Sequence, residues 1–561
     1  MFRRFILPLA PLVLLAACAS PGPQLDLGDR SPYGLFLAGQ GALHDGRGSD
    51  AAAYFAQAQD QGVDLDLIGE QAFMAALLSG DITTAATLAP VSEDVPDPTR
   101  RMGRLVVGVE ALALGRGKEA HEIISPEGIG YPHRSASALL APWAAAMAGD
   151  KEAALIKPEI RGDRVVDYFG QLGQAQLYER YRMFDQAETN YKTLLSTNNV
   201  ADLVTLAYGS FLERRGRKAD AVALYGEAVA RVPGDQALKL AFDRASKGKS
   251  APALPDLKQG AAQALVAPAA NFMGARQNQL ALAYLRLSLR LDPTRNDTWL
   301  MAGDLMQSSG DIDGARAAYG RPRAGSAEYA SAQAKLAWSY QNAKETETAL
   351  KMATAAATGG DREARINLAD LLRANEKFAE SAVVLDAVLK DDANPDWRLL
   401  YARGIARERS GNWPGAEADL TAALAAQPDE SEILNYLGYS WIDRGLKLGE
   451  ALAMVQRAVA TNPRSGAMID SLGWAYYRLG DYPKAVVKLE EAVEIDAGDP
   501  EINNHLGDAY WRIGRRIEAV FQWKRVLTLD PPANIKADAE AKIEKGLPDL
   551  APATATKVAG T

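Results

Sequence analysis

Small and apolar positions recur near the C-terminus with a fixed period. Ala451, Ala485 and Ala519 stand 34 residues apart, and each follows a glycine (Gly438, Gly473, Gly507) by twelve or thirteen positions. Leucines and aromatics fill the positions around them. A glycine facing an alanine across two helices lets their backbones approach closely, so each unit is predicted to be an antiparallel helix pair. A second glycine, such as Gly480 or Gly514, ends the first helix, and a proline, such as Pro463 or Pro531, ends the second. A period of this size predicts an all-α solenoid, in which each repeat buries its apolar face against its neighbours.

The same spacing runs through residues 205–233, with Gly209, Gly216, Ala221 and Tyr225, and through 400–428, with Gly404, Gly411, Ala416 and Leu420. Trp299, Gly303, Gly310, Ala315 and Tyr319 make another good copy, and fainter ones lie upstream, at Gly39–Ala51–Phe55–Ala58 and Ala175–Tyr178–Ala187–Tyr191. The pattern of a large residue, Leu-Gly, an aromatic, alanine, an aromatic, alanine and proline resembles the tetratricopeptide repeat. That resemblance implies a superhelix of antiparallel helix pairs. The order expected along the chain is a divergent array over 33–245, a linker or hinge over 246–260, a second array over 261–531, a capping helix over 532–547 and a disordered tail over 548–561. Ile535 and Ile543 are expected to face inward from the cap, and the proline-rich, acidic stretch 90–100 to form a loop.

The N-terminus alters the picture of where this array works. Arg3 and Arg4 precede an apolar run, Phe5–Leu15, that is too short to span a bilayer, for which about 20 residues are needed. Leu15-Ala16-Ala17 then precede Cys18, the only cysteine in the chain. This resembles the bacterial lipobox, and the resemblance implies a signal peptide over 1–17 and lipidation of Cys18, with 18–32 as a flexible tether. Ala19 and Ser20 follow, with no aspartate, which implies the periplasmic face of the outer membrane. A net charge of −9 argues against a nucleic-acid partner, which needs a basic face.

No catalytic constellation is legible. The four histidines, His44, His121, His133 and His505, have no metal-ligand spacing, and neither a nucleophile elbow nor a phosphate loop is present. The chain is therefore read as a non-enzyme without cofactor, metal or small-molecule substrate. Its function is expected on the surface.

In tetratricopeptide arrays the first helices line the concave side, and the fifth, ninth and twelfth positions of each repeat point into it. Carried to this chain, that places Asn435, Tyr439 and Ile442, then Asp470, Trp474 and Tyr477, then Asn504, Asp508 and Trp511 in a groove. Tyr401 and Ile405 extend the row. Aromatics and amides suit an extended peptide. Trp474 and Trp511 could equally pack between repeats, whereas Trp523 is read as core. The Lys/Asn/Arg set that clamps a terminal carboxylate is missing.

Over about the last 130 residues, the runs around Leu434–Tyr439, Ile469–Trp474 and His505–Asp508 resemble large tetratricopeptide lipoproteins of Gram-negative bacteria. The resemblance implies an adaptor that binds a carboxyl-terminal processing protease and brings cell-wall hydrolases to it. The alternative is a component of envelope export or outer-membrane assembly.

Overall fold

The structure, a computed structural model, describes residues 31–548 except 62–64, 94, 198–200, 391 and 393. The signal segment, Cys18, most of the tether and the tail beyond Pro548 lie outside the described residues. Every regular element among the described residues is an α-helix. The chain forms two compact units, the first running to Met352 and the second starting at Ala353.

In the second unit the helices come in consecutive pairs: Arg362–Ala374 with Phe378–Leu389, Trp397–Arg409 with Trp413–Ala426, Ser431–Arg444 with Leu448–Thr461, Gly466–Arg478 with Tyr482–Ile495, and Pro500–Arg512 with Arg516–Val526. Local chemistry sets their ends. Asp361, Asp396, Ser465 and Asp499 cap first helices through side-chain oxygens, and Asn412 and Asp481 cap second helices. Gln427 and Asn462 leave helical geometry in front of Pro428 and Pro463, as the residue before a proline must.

Inside each pair the small position of the first helix receives a side chain sixteen residues later. A Cβ on Gly473 would sit 2.6 Å from Leu489 Cγ, and Gly507 lies closer still to the indole of Trp523, which is fully buried. The pair beginning at Ser431 carries one extra residue in its turn. Lys447 there adopts a positive φ of 46°, and the partner of Gly438 shifts to Val455.

The first unit departs from simple neighbour-to-neighbour stacking. Helices Leu65–Ser79, Asp97–Ala113 and Arg134–Ala148 share one apolar core with Leu257–Gly274 and Asn278–Leu291. Trp143 lies against Gly260, leaving no room for a Cβ there. Arg286 Nε donates to the Leu78 carbonyl at 3.0 Å, Lys258 Nζ to the Ala113 carbonyl at 2.6 Å, and Arg290 pairs with the buried Glu110 at 2.8 Å. Residues 164–246 form a separate apolar cluster around Tyr191, Phe211 and Tyr225.

The segment 246–260 lies inside this first unit. Arg180 and Arg214 donate to the carbonyls of Pro255 and Pro252, and Leu257 already begins a helix capped by Asp256. The stretch 90–100 is shorter as a loop than expected, because a helix starts at Asp97 with Pro98 in its first turn, where a missing N–H costs nothing.

Candidate functional site

The first helices of the last three pairs carry most of the expected groove residues, and the structure divides them into two sets. One set is used by the chain itself. Asn504 Nδ2 donates to Asp538 at 2.9 Å, and Lys542 Nζ donates to Asp508 Oδ2 at 2.8 Å; both partners lie on the final helix, Ala533–Lys545. Asp508 also accepts from Trp523 Nε1 at 3.0 Å. Gly546 abuts the Trp511 ring, which stacks at a tilt 5.4 Å from Trp523. Ile535 and Ile543 pack into the same core. Burial raises the Asp508 pKa while Lys542 pulls it down.

These contacts have a period. Asn504 and Asp538, like Asp508 and Lys542, are 34 residues apart, so the final helix stands where the first helix of a further repeat would stand. Further in, the interval is 35: His505 Nδ1 lies 3.0 Å from both oxygens of Asp470, and Arg512 Nε donates to the Tyr477 hydroxyl at 3.1 Å. Polar residues on successive first helices thus bond to their counterparts one repeat on. Asp470 and His505 are both buried. Burial opposes the charged imidazolium, but the charge and hydrogen bond of Asp470 outweigh it and raise the His505 pKa.

In the second set, Asn435, Tyr439 and Asp470 line an open cavity, and Trp474 and Tyr477 form an aromatic stack with His505. Trp474 stacks on Tyr477 with centroids 4.5 Å apart and planes 6° from parallel, and its other face meets His505 at 4.0 Å. Beside this column lies a cavity of about 160 Å³ lined by Asn435, Tyr436, Tyr439, Asp470, Asp499 and Glu501, among others. It spans three repeats. Tyr439 donates from the first helix of one pair to Glu501 Oε1 two pairs on, at 2.9 Å, passing over the helix Gly466–Arg478. Burial, then the charge of Glu501, raises the Tyr439 pKa.

Two polar atoms here are sealed from solvent and have no partner, the Asn435 carboxamide oxygen and the Trp474 indole nitrogen. A buried polar atom without a hydrogen bond is costly. Tyr401 sits edge-on to Tyr436 at 5.9 Å, and burial pushes its hydroxyl pKa up to about 12. Ile405 is half-buried.

Ile442 is a correction. It is fully buried in the apolar core that also holds Leu437 and Val455, where a branched hydrocarbon gains most by leaving water. Sequence reasoning did not single out Tyr436, Asp499 or Glu501. Tyr436 is adjacent to an expected groove position, whereas Asp499 and Glu501 stand at a helix start that only the stacking of three repeats brings to Tyr439. Among the described residues no group of His, Cys, Asp or Glu is arranged to hold a metal, and no helix is long and apolar enough to cross a membrane.

Against known families, residues 172–236, 366–430 and 401–466 match the family described as Tetratricopeptide repeat, and residues 473–514 match the one described as TPR repeat. Those segments carry tetratricopeptide repeats. The helix pairs of the second unit are therefore tetratricopeptide pairs, and the architecture is a tetratricopeptide-type α-solenoid. Such repeats generally mediate protein–protein contacts.

The TPR repeat-containing protein PA4667 of Pseudomonas aeruginosa is 37% identical over 112 residues, covering 20% of this chain and 19% of that protein. The match thus spans about a fifth of that relative's length. A tetratricopeptide repeat protein from Parabacteroides merdae is 14% identical with a TM-score of 0.38, covering 44% of this chain and 98% of its own. The APC/C hetero-tetramer Cut9–Hcn1 is 16% identical with a TM-score of 0.38, covering 92% and 96%.

Proposed function

We propose that this chain is a lipid-anchored scaffold on the periplasmic face of the outer membrane, and that its last repeats hold a protein partner. The observation that carries the docking surface is the cavity beside the Tyr477–Trp474–His505 column. It lies open on the first helices of three successive repeats, with Asn435, Tyr439, Asp470 and Glu501 in its lining. An extended segment laid across the first helices can seat a side chain in such a cavity. The aromatic column offers rigid contact area at low entropic cost.

The membrane address rests on Leu15-Ala16-Ala17-Cys18, and the finer role on the resemblance of the last 130 residues to adaptor lipoproteins. In that role the scaffold holds a carboxyl-terminal processing protease and a cell-wall hydrolase together. Its effect is to raise their effective concentration for one another.

Chemical crosslinking in intact envelopes, followed by purification of the chain, tests the role. Recovery of a processing protease together with a hydrolase is expected. A secretion channel recovered with neither would overturn the adaptor reading. Cys18→Ser should move the chain out of the membrane fraction, and unchanged fractionation would refute the anchor.

A further inference from the structure

The cavity on the last three repeats has a one-sided chemistry. Its ionisable lining comprises Asp470, Asp499 and Glu501 with the phenols of Tyr436 and Tyr439, and no lysine, arginine or histidine lines it. The charge of Asp470 is met from behind by His505. Asp499 uses one oxygen to cap the helix Pro500–Arg512, accepting from the Glu501 and Ile502 amides at 2.7 and 3.0 Å. Glu501 accepts the Tyr439 hydroxyl through Oε1. Each of the two leaves a second carboxylate oxygen for a visitor.

Resting on the reading of this face as a docking surface, we infer that the cavity is a socket for a cationic side chain, arginine or lysine, on an extended segment of the partner protein. The charge balance decides the sign. Two carboxylates not met by a cation of the lining face the cavity, so a visiting cation meets unbalanced negative charge. A guanidinium or ammonium brings only donors to a site that offers mainly acceptors.

Volume agrees. An engineered cavity of about 150 Å³ takes up benzene, so about 160 Å³ admits a guanidinium with part of its stem. A terminal carboxylate, the ligand of a basic clamp, would meet only repulsion here. The site therefore selects by exclusion as well as by attraction.

Four heptapeptides blocked at both ends, differing only in a central arginine, lysine, norleucine or glutamate, would be titrated against the full-length chain. The comparison is repeated with Glu501→Gln and Asp499→Asn, isosteric changes that keep the acceptor for Tyr439 and the helix cap. Arginine and lysine should bind at least about tenfold more tightly than norleucine, with glutamate weakest, and the preference should fall to about threefold or less in the double variant. Raising salt should weaken the cationic peptides and leave norleucine unchanged.

Equal binding of arginine and norleucine, lost together in Tyr439→Ala, would overturn the cationic socket while leaving the docking surface standing. Absence of binding by all four would overturn the socket, and crosslinking in envelopes would then decide the docking surface separately. Circular dichroism matching the parent shows that the variants fold.

Discussion

His133 and His505 are both buried, and their surroundings push them in opposite directions. His133 is 1% exposed, with Nδ1 2.7 Å from the Tyr284 hydroxyl, and burial holds its pKa down at about 4. Its unfolded value is near 6.5, so between about pH 4 and 6.5 the unfolded chain binds more protons. Its contribution is complete above that window and is lost as pH falls through it. The gap is worth roughly 3 kcal/mol. His133→Gln should flatten the rise in unfolding free energy between pH 4 and 6.5, as read by denaturant titration at several pH values. His505 has the reverse sign. Its raised pKa makes its contribution complete below the unfolded value and lost as pH climbs through the folded one.

Gly507 is a steric test at the same scale. A methyl group there meets the Trp523 indole, which is buried and tied to Asp508, so the ring cannot swing away freely. Gly507→Ala should cost about 1–3 kcal/mol, measured as a lowered denaturation midpoint. That glycine and its ring were readable from spacing alone. The Asp470–His505 pair was not, because which polar groups meet depends on the rotation of one repeat against the next.

At the scale of the helix pair, one backbone position recurs. Just before each second helix the chain adopts positive φ, and Gly216, Gly310, Gly411, Gly480 and Gly514 supply it at 80–87°. Arg182, Arg276, Lys344 and Glu376 hold the same place at 57–64°. A side chain in that region costs about 1 kcal/mol, partly offset because glycine loses more entropy on folding. Glu376 is exposed. Glu376→Gly should therefore stabilise by about 0.5 kcal/mol, seen as a raised urea midpoint.

The same substitution pattern explains why several fainter copies are hard to read. The pairs around Arg182, Lys344 and Glu376 keep their small and aromatic positions but have lost the punctuating glycine. The final helix shows the converse. Its composition announces a cap, but its place as a further first helix appears only when Asp538 and Lys542 are found one period from Asn504 and Asp508.

At the scale of the whole chain, a 34-residue period describes the second unit well and the first only in part. The first unit closes through contacts between segments far apart in sequence, such as Arg286 with Leu78 and Arg290 with Glu110. Such contacts leave no trace in a local period, which records only what each repeat does to its neighbour. Glu110 is almost fully enclosed, and Arg290 holds its pKa down. Arg290→Met removes the cation bonded to it and should cost about 3 kcal/mol, read as a loss in unfolding free energy.

The proposed docking face belongs to the second unit, where a cavity on the last three repeats lies open and the final helix covers the first helix of the last pair. The central claim is that a protein partner enters there. A photo-crosslinking aromatic amino acid placed at Tyr439, which lines the cavity, tests it against the same group at Val487, which is 61% exposed on a second helix. Irradiation of intact envelopes should yield a discrete protein adduct from position 439 and none from position 487. An adduct from position 487 with none from 439 would contradict the account.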